Sequence, residues 1–170
     1  MPSGSTGRSA ISTELPDSPL NWRFGPPSEA DFEPLLALRI DVMREHLERV
    51  FRYKPGRARR IFRAHFDEPG MRLILMSSEG ADDQRIGCVG FRSEPDCRKI
   101  DSFYLERRFH NTGLGTAILK VLLAEADAQG LLVRLQVLTG SRADRFYLRH
   151  GFVKLREDEI EAEYERPVPA

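Results

Sequence analysis

Cysteine is scarce in this chain, its charges cancel, and no apolar run is long. Cys88 and Cys97 are the only cysteines, and their number and spacing exclude a disulfide framework and suggest no metal site. A reducing cytoplasm is the expected setting. No stretch approaches the roughly 18–20 apolar residues of a membrane-spanning helix, and the first twenty residues lack the apolar centre of a secretory signal. Lys plus Arg and Asp plus Glu number 26 each, so bulk electrostatics offers no attraction for nucleic acid or a membrane surface. What remains is a chain of 170 residues, 41% hydrophobic and 31% charged. That is enough for one core-bearing domain.

Residues 1–20 are rich in Ser, Thr, Gly and Pro and read as a disordered tail, with a domain over 21–167 and a short tail at 168–170. Trp22 and Phe24 alternate with polar residues as a first strand, which Pro26-Pro27 stops. Ser28 and Asp31 have the spacing of a capping pair, and Phe32, Leu36, Ile40, Met43, Leu47 and Val50 then recur at helical intervals. After a break at Pro55-Gly56, Ala58, Ile61, Phe62 and Phe66 form one face of a second helix that Pro69-Gly70 ends. Strands are expected over 71–77, 85–92 and 98–105, a helix over 114–129 with Leu114, Ile118, Val121, Leu122 and Ala126 inward, and a strand over 131–138. Ser141 and Asp144 mark the start of a short helix that Gly151 ends, and a hairpin of 152–156 and 160–164 closes the order.

The densest chemical signal is His110-Asn111-Thr112-Gly113-Leu114-Gly115-Thr116, between an expected strand and an expected helix. Glycines there let backbone approach a ligand, and the first free N–H groups of the helix point at it, as a phosphate requires. On its own this is equally an ordinary strand-to-helix turn. Gly-Lys-Ser/Thr does not follow the glycines, which counts against an unrelated P-loop nucleotide-binding domain.

Two motifs together resemble the GNAT superfamily of acyl-CoA-dependent N-acyltransferases. The family turn Arg/Gln-x-x-Gly-x-Gly/Ala matches His110-x-x-Gly113-Leu114-Gly115 except that His stands at its first position. The second motif, Tyr-x-x-x-Gly-Phe on a short helix after the fifth strand, matches Tyr147-Leu148-Arg149-His150-Gly151-Phe152. The resemblance spans about residues 21–167 in the element order read above. It implies an α/β (α+β) fold, with a mixed, mostly antiparallel twisted sheet of about seven strands flanked by about four helices.

The resemblance further implies acetyl-CoA as co-substrate, its pyrophosphate on the backbone of His110, Asn111, Thr112, Gly113, Leu114, Gly115 and Thr116. Its pantetheine arm is expected beside Phe103, Tyr104 and Leu105, with Ser141 at the position of a family Asn that touches it. Tyr147 is the expected proton donor to the departing thiolate. A free tyrosine would give that proton uphill by about 2 kcal/mol, so a hydrogen bond to the developing thiolate is its main contribution. The amine needs help too, because an alkyl amine of pKa near 10.4 exposes its lone pair at pH 7 at a cost of about 4–5 kcal/mol.

Two candidates for the base stay open. Asp101 shares by simple alternation the parity of Phe103 and Leu105, and its bland role is a strand carboxylate paired with Arg98 or Lys99. His46 lies on the first helix, where imidazole chemistry suits neutral pH. Arg39, Met43 and His46, with Phe91 and Arg92, are the candidate acceptor pocket. The basic run Arg52, Lys54, Arg57, Arg59, Arg60 and Arg63 would either grip an anionic substrate or form a solvated face, and the acids from Glu157 to Glu165 either balance it or line a dimer contact.

The expected activity is transfer of an acetyl group to a primary amine of a small molecule or peptide, without metal or covalent intermediate. A non-catalytic acyl-CoA-binding module of the same fold is the alternative. The terminal strand and complementary charges make a homodimer plausible.

Overall fold

A computed structural model describes residues 21–50 and 54–170. The expected tail at 1–20, Arg52 and the side chain of Val50 lie outside the described residues. The order is β1 (Trp22–Gly25), a 3-10 turn (Glu29–Asp31), α1 (Phe32–Val50), α2 (Pro55–Asp67), β2 (Met71–Ser78), β3 (Ala81–Ser93) and β4 (Cys97–Leu105). A second 3-10 turn (Arg107–Phe109), α3 (Leu114–Ala128), β5 (Leu132–Leu138), α4 (Ala143–Arg149), β6 (Val153–Glu157) and β7 (Glu161–Arg166) follow. Seven strands form one sheet in the order β1-β2-β3-β4-β5-β7-β6. Among the described residues only β4 and β5 pair in parallel. Among the described residues no helix is long and apolar enough to cross a membrane, which says nothing of a β-barrel.

Local signals fix most boundaries. The Ser28–Asp31 capping box forms, with Asp31 accepting from Ser28 N–H at 2.8 Å. Pro55 and Gly56 do not break the chain before a helix. They are its first turn, where proline's missing N–H costs nothing. Ala58, Phe62 and Phe66 are buried while Ile61 is exposed, so the apolar stripe of α2 is narrower than its composition suggests. In α3 the stripe shifts similarly: Leu119 and Leu123 are buried with Leu114, Ile118, Leu122 and Ala126, and Val121 is only partly covered.

The helices take opposite faces of the sheet. Phe32, Leu35 and Leu36 of α1 and Phe62 and Phe66 of α2 pack on Met71, Leu73 and Cys88. The larger core lies on the other face, where α3 and Tyr147 of α4 meet Ile74, Ile86, Phe91, Ile100, Val133, Leu135 and Tyr164. The terminal strand β7 is interior, between β5 and β6. At that end of the sheet the edge is therefore β6, with Val153 and Leu155 about half exposed, and β1 is the edge at the other end.

The charged runs are paired locally. Arg59 bonds Glu33, and Arg63 bonds Glu29 and Asp67. Arg156 bonds Glu163, and Arg134 bonds Glu165. These members of the two runs thus find their counterions on their own or neighbouring elements, and such exposed pairs, screened by water, add little to stability.

One buried ion pair is of a different kind. Arg92, 3% exposed, donates from Nε and Nη2 to Asp101 at 2.9 Å each. Its other donors take the end of α2: Nη2 bonds His65 O at 2.7 Å, and Nη1 bonds Glu68 O at 2.5 Å and Pro69 O at 3.0 Å. A cation at a helix C-terminus also complements the helix dipole. The pair lies over Gly90, the strand partner of Asp101, where an added Cβ would sit 2.6 Å from Arg92 Nη2.

Two substitutions test this clasp by thermal melting. Gly90→Ala is expected to cost about 1–3 kcal/mol through overpacking. Asp101→Asn, which strips the counterion from a buried guanidinium, is expected to cost at least about 3 kcal/mol, lowering Tm by about 6 °C or more. An unchanged Tm in Asp101→Asn would contradict the assignment.

Candidate active site: a cleft where two parallel strands part

Strands β4 and β5 pair from Cys97↔Leu132 to Ile100↔Leu135 and then diverge. Beyond that point Asp101–Leu105 form one wall and Gln136–Leu138 the other, with α1 and α4 bordering the opening. The resulting cavity measures about 650 Å³, within the range of small-molecule sites.

Counting by twos fails along β4. Between Asp101 and Tyr104 the strand carries one residue more than β3 does between Cys88 and Gly90. The extra residue is Ser102, with φ +48°, a β-bulge that reverses the alternation. Asp101 therefore does not share a face with Phe103 and Leu105. Asp101 and Tyr104 lie on the α1–α2 side, while Phe103 packs against the α3 core and Leu105 is within it.

The bulge decides what each residue offers. Glu106 N–H bonds Ile86 O at 2.9 Å, so by ladder alternation Tyr104 turns its backbone to β3, and Phe103 and Leu105 turn theirs to the cleft. Tyr104 thus presents its side chain, not its backbone. His110 Nε2–H donates to Leu105 O at 2.8 Å, which leaves the Phe103 backbone and Leu105 N–H as edge groups for an incoming chain.

Of the glycine turn, His110 lines the cleft, and Asn111, Thr112 and Gly113 are exposed beside it. Asn111 (φ +58°) and Gly113 (φ +87°) are left-handed and aim the chain into α3. Thr112 Oγ1 donates to Phe109 O at 2.6 Å and accepts a long bond from Leu114 N–H at 3.4 Å. The Leu114 side chain is core. The N-cap, Gly113, has no side chain to offer, and Thr112 reaches only Leu114 N–H, so the N–H groups of Gly115 and Thr116 have no intrahelical acceptor and stay available to an anion. A Cβ at Gly115 would make ordinary contact with Phe146 at 3.7 Å, consistent with an Ala at that place in the family pattern.

Tyr147 forms part of the cleft wall. Its ring is clamped by Phe146 and Phe152 at centroid distances of 5.1 and 5.4 Å, and its Oη makes no hydrogen bond among the described residues. Burial raises its pKa well above the usual value, and Tyr104 adds to the shift. The phenol stays protonated, a hydrogen-bond donor rather than a ready acid. Ser141 also lines the cleft, but its Oγ accepts from Ala143 N–H at 3.1 Å, so it acts as a helix cap.

The acceptor side departs from the sequence reading. Arg39, Met43 and His46 border the cleft as expected. Phe91 does not: it is 1% exposed in the core, under the Arg98 guanidinium at 4.0 Å. Arg92 is likewise consumed by its clasp, and Asp101 is paired with Arg92 rather than with Arg98 or Lys99. Both carboxylate oxygens of Asp101 accept from the buried guanidinium, so at the cleft wall the carboxylate is held in the clasp. His46 Nδ1 accepts from Arg49 at 3.1 Å, which leaves its other nitrogen as N–H and not as a base. Burial, then Arg49, lowers its pKa.

His65 was not singled out by sequence. It lines the cleft, half-buried, with Nδ1 3.2 Å from Ser102 Oγ. Burial lowers its pKa, outweighing the opposing pull of Asp101, so the ring is neutral at pH 7. The Ser102 hydroxyl can accept or donate here; in the tautomer whose Nδ1–H donates to it, Nε2 carries a free lone pair. The available signal was its place three residues after Phe62, on the margin of the buried stripe of α2.

Comparison with known proteins agrees with this geometry. The profile described as "Acetyltransferase (GNAT) family" matches residues 38–152. Among solved structures, Ard1 from Thermoplasma volcanium superposes with a TM-score of 0.62 at 20% identity, covering 89% of this chain and 100% of that one. The PaiA N-acetyltransferase from Thermoplasma acidophilum, solved in complex with coenzyme A, gives 0.65 at 13% identity over 87% and 99%. At such identities these likenesses show the fold alone. No curated protein matches by sequence. The family match covers well over half of the sequence, and the chain belongs to the acetyltransferase (GNAT) family.

Proposed function

We propose that the protein transfers an acetyl group from acetyl-CoA to a primary amine by direct attack of the amine on the thioester. The observation that carries this reading is the parting of β4 and β5. It places unpaired strand-edge groups beside the uncapped start of α3, with the Tyr147 phenol on the α4 wall and the His65 imidazole on the α2 side. The coenzyme A complex of the PaiA N-acetyltransferase supports the same ligand for this fold.

In this scheme the pyrophosphate accepts from backbone N–H groups of Asn111–Thr116, where the helix start favours an anion by about 0.3–1 kcal/mol besides the hydrogen bonds. The pantetheine arm lies along the free edge at Phe103 and Leu105 as an added strand. The amine reacts as the free base, its ammonium proton released to water beforehand; its nitrogen bonds to the thioester carbon, and the C–S bond breaks as the tetrahedral adduct collapses. Attack makes the nitrogen cationic and strongly acidic, and neutral His65 Nε2 takes its proton. The leaving electron pair stays on sulfur, where Tyr147 Oη–H donates a hydrogen bond to the thiolate. The thiolate takes its final proton from water.

Three outcomes follow, read by thiol release across an amine library. Tyr147→Phe is expected to lower kcat by about 10²-fold with KM for acetyl-CoA unchanged; unchanged turnover would remove Tyr147 from the mechanism. His65→Asn is expected to lower kcat by about 10²-fold. In the wild type, kcat should fall on the acid side once His65 protonates, below the ordinary histidine pKa of about 6.5. That limb should vanish in His65→Asn, and its persistence would assign it to another group.

A further inference from the structure

We infer that the acceptor amine carries a carboxylate and that Arg39 binds it, an inference that deepens the acetyl transfer proposed above. Arg39 lies on α1, is 6% exposed and borders the cleft. Its hydrogen bonds go only to neutral acceptors: Nε to Tyr104 Oη at 3.3 Å and Nη1 to Ala58 O at 3.5 Å. Nη2 bonds nothing, and no carboxylate lies within 4.0 Å of the guanidinium, among the described residues. Of the other cations nearby, Arg92 is paired with Asp101 and Arg107 at the cleft mouth with Asp41, while Lys99 and Arg142 on the cleft wall are less buried than Arg39 and keep more of their hydration.

A guanidinium withdrawn from bulk water without a counterion is costly, and the cost is offset when an anion reaches it. Arg39 is shaped for that. Its fork is steadied at Nε by Tyr104, Nη2 is open, and the long contact of Nη1 to Ala58 yields to a second bond with a bidentate carboxylate. No tight anion from the protein competes, although Glu45, Glu68 and Glu161 also border the cleft. Asp101 and Glu68 act on His65 in one direction, and Arg39 and Arg92 in the other. The imidazole that receives the amine thus lies between acids and a cation on α1 that has no carboxylate of its own. A small zwitterion, an amine bearing a carboxylate, answers both charges. An amine without the carboxylate leaves Arg39 unanswered.

The test uses the full-length protein and two readouts. Each of the twenty amino acids is compared with its C-terminal amide in acetyl-CoA-dependent thiol release. Separately, the corresponding N-acetyl amino acids are titrated calorimetrically into the protein saturated with coenzyme A. At least one amino acid is expected to exceed its amide in kcat/KM by about 10–100-fold, the range for a hydrogen bond to a charged group. Arg39→Gln should erase that ratio while leaving KM for acetyl-CoA unchanged, and Arg39→Lys, which keeps the charge without the fork, should retain part of it.

Amides turned over as well as the free acids, or an equal loss on both in Arg39→Gln, would overturn the inference. If Arg39→Gln does not fold, the Arg39→Lys ratio and the wild-type comparison decide alone. Absence of thiol release from every amine would refute the transferase reading, and the inference would then stand or fall on calorimetry. Arg39-dependent binding of an N-acetyl amino acid sustains the carboxylate site, and no binding by any of them overturns it.

Discussion

Arg92 holds five hydrogen bonds from a position almost sealed from water, and the shape of the site follows from them. Two go to Asp101 on β4, one to the His65 carbonyl in the last turn of α2, and two to the Glu68 and Pro69 carbonyls just past its end. A guanidinium has five N–H donors, so each finds an acceptor. Satisfaction of that completeness is what makes a buried ion pair tolerable, since desolvation otherwise exceeds the Coulombic gain. The clasp fixes α2 against β3 and β4 and brings His65 beside Ser102. It also explains Gly90, because any side chain there would meet the ion pair.

The second constraint is the bulge at Ser102. Without it, Asp101, Phe103 and Leu105 would share a face, the Arg92 clasp would lose its carboxylate, and the free backbone edge would shift by one residue. With it, β4 presents charged and phenolic groups to the acceptor side and apolar groups to the core. The same stretch then parts from β5. A parallel pair that stops at Ile100↔Leu135 leaves two strand edges facing a cavity, a ready template for a ligand that can pair as a strand. The start of α3 follows soon after in sequence, and His110 on the approach to it lines the same cavity.

Much of this was legible in the sequence, because it rests on local chemistry. Capping residues at Ser28 and Asp31, the glycines at 113 and 151 and the periodic stripes of α1 and α3 mark elements by their own conformational demands. The Gly-x-Gly turn and the Tyr-x-x-x-Gly-Phe helix pointed to the family. What the sequence hid depends on non-local partners. The Ser102 bulge has no composition cue, so alternation misassigned Asp101. Phe91 and Arg92 read from sequence as acceptor-pocket residues until the packing of α3 on Phe91 and of α2 on Arg92 takes them out of it. His65 is one polar residue on a helix full of arginines, and only the packing of α2 on the sheet turns it toward the cleft. His110 departs from the family's Arg or Gln, and the structure gives it a definite task, holding Leu105 O at the mouth of the cleft.

The central claim is that the parted strands hold coenzyme A, with its pyrophosphate on the start of α3 and its sulfur at Tyr147. A crystal structure of the protein soaked with coenzyme A tests this most directly. The account predicts pyrophosphate oxygens within hydrogen-bond distance of the N–H groups of Gly115 and Thr116. It also predicts pantetheine amides paired with the Phe103 backbone, and sulfur beside Tyr147 Oη. Coenzyme A bound elsewhere, or in the cleft with its sulfur away from Tyr147, would contradict it.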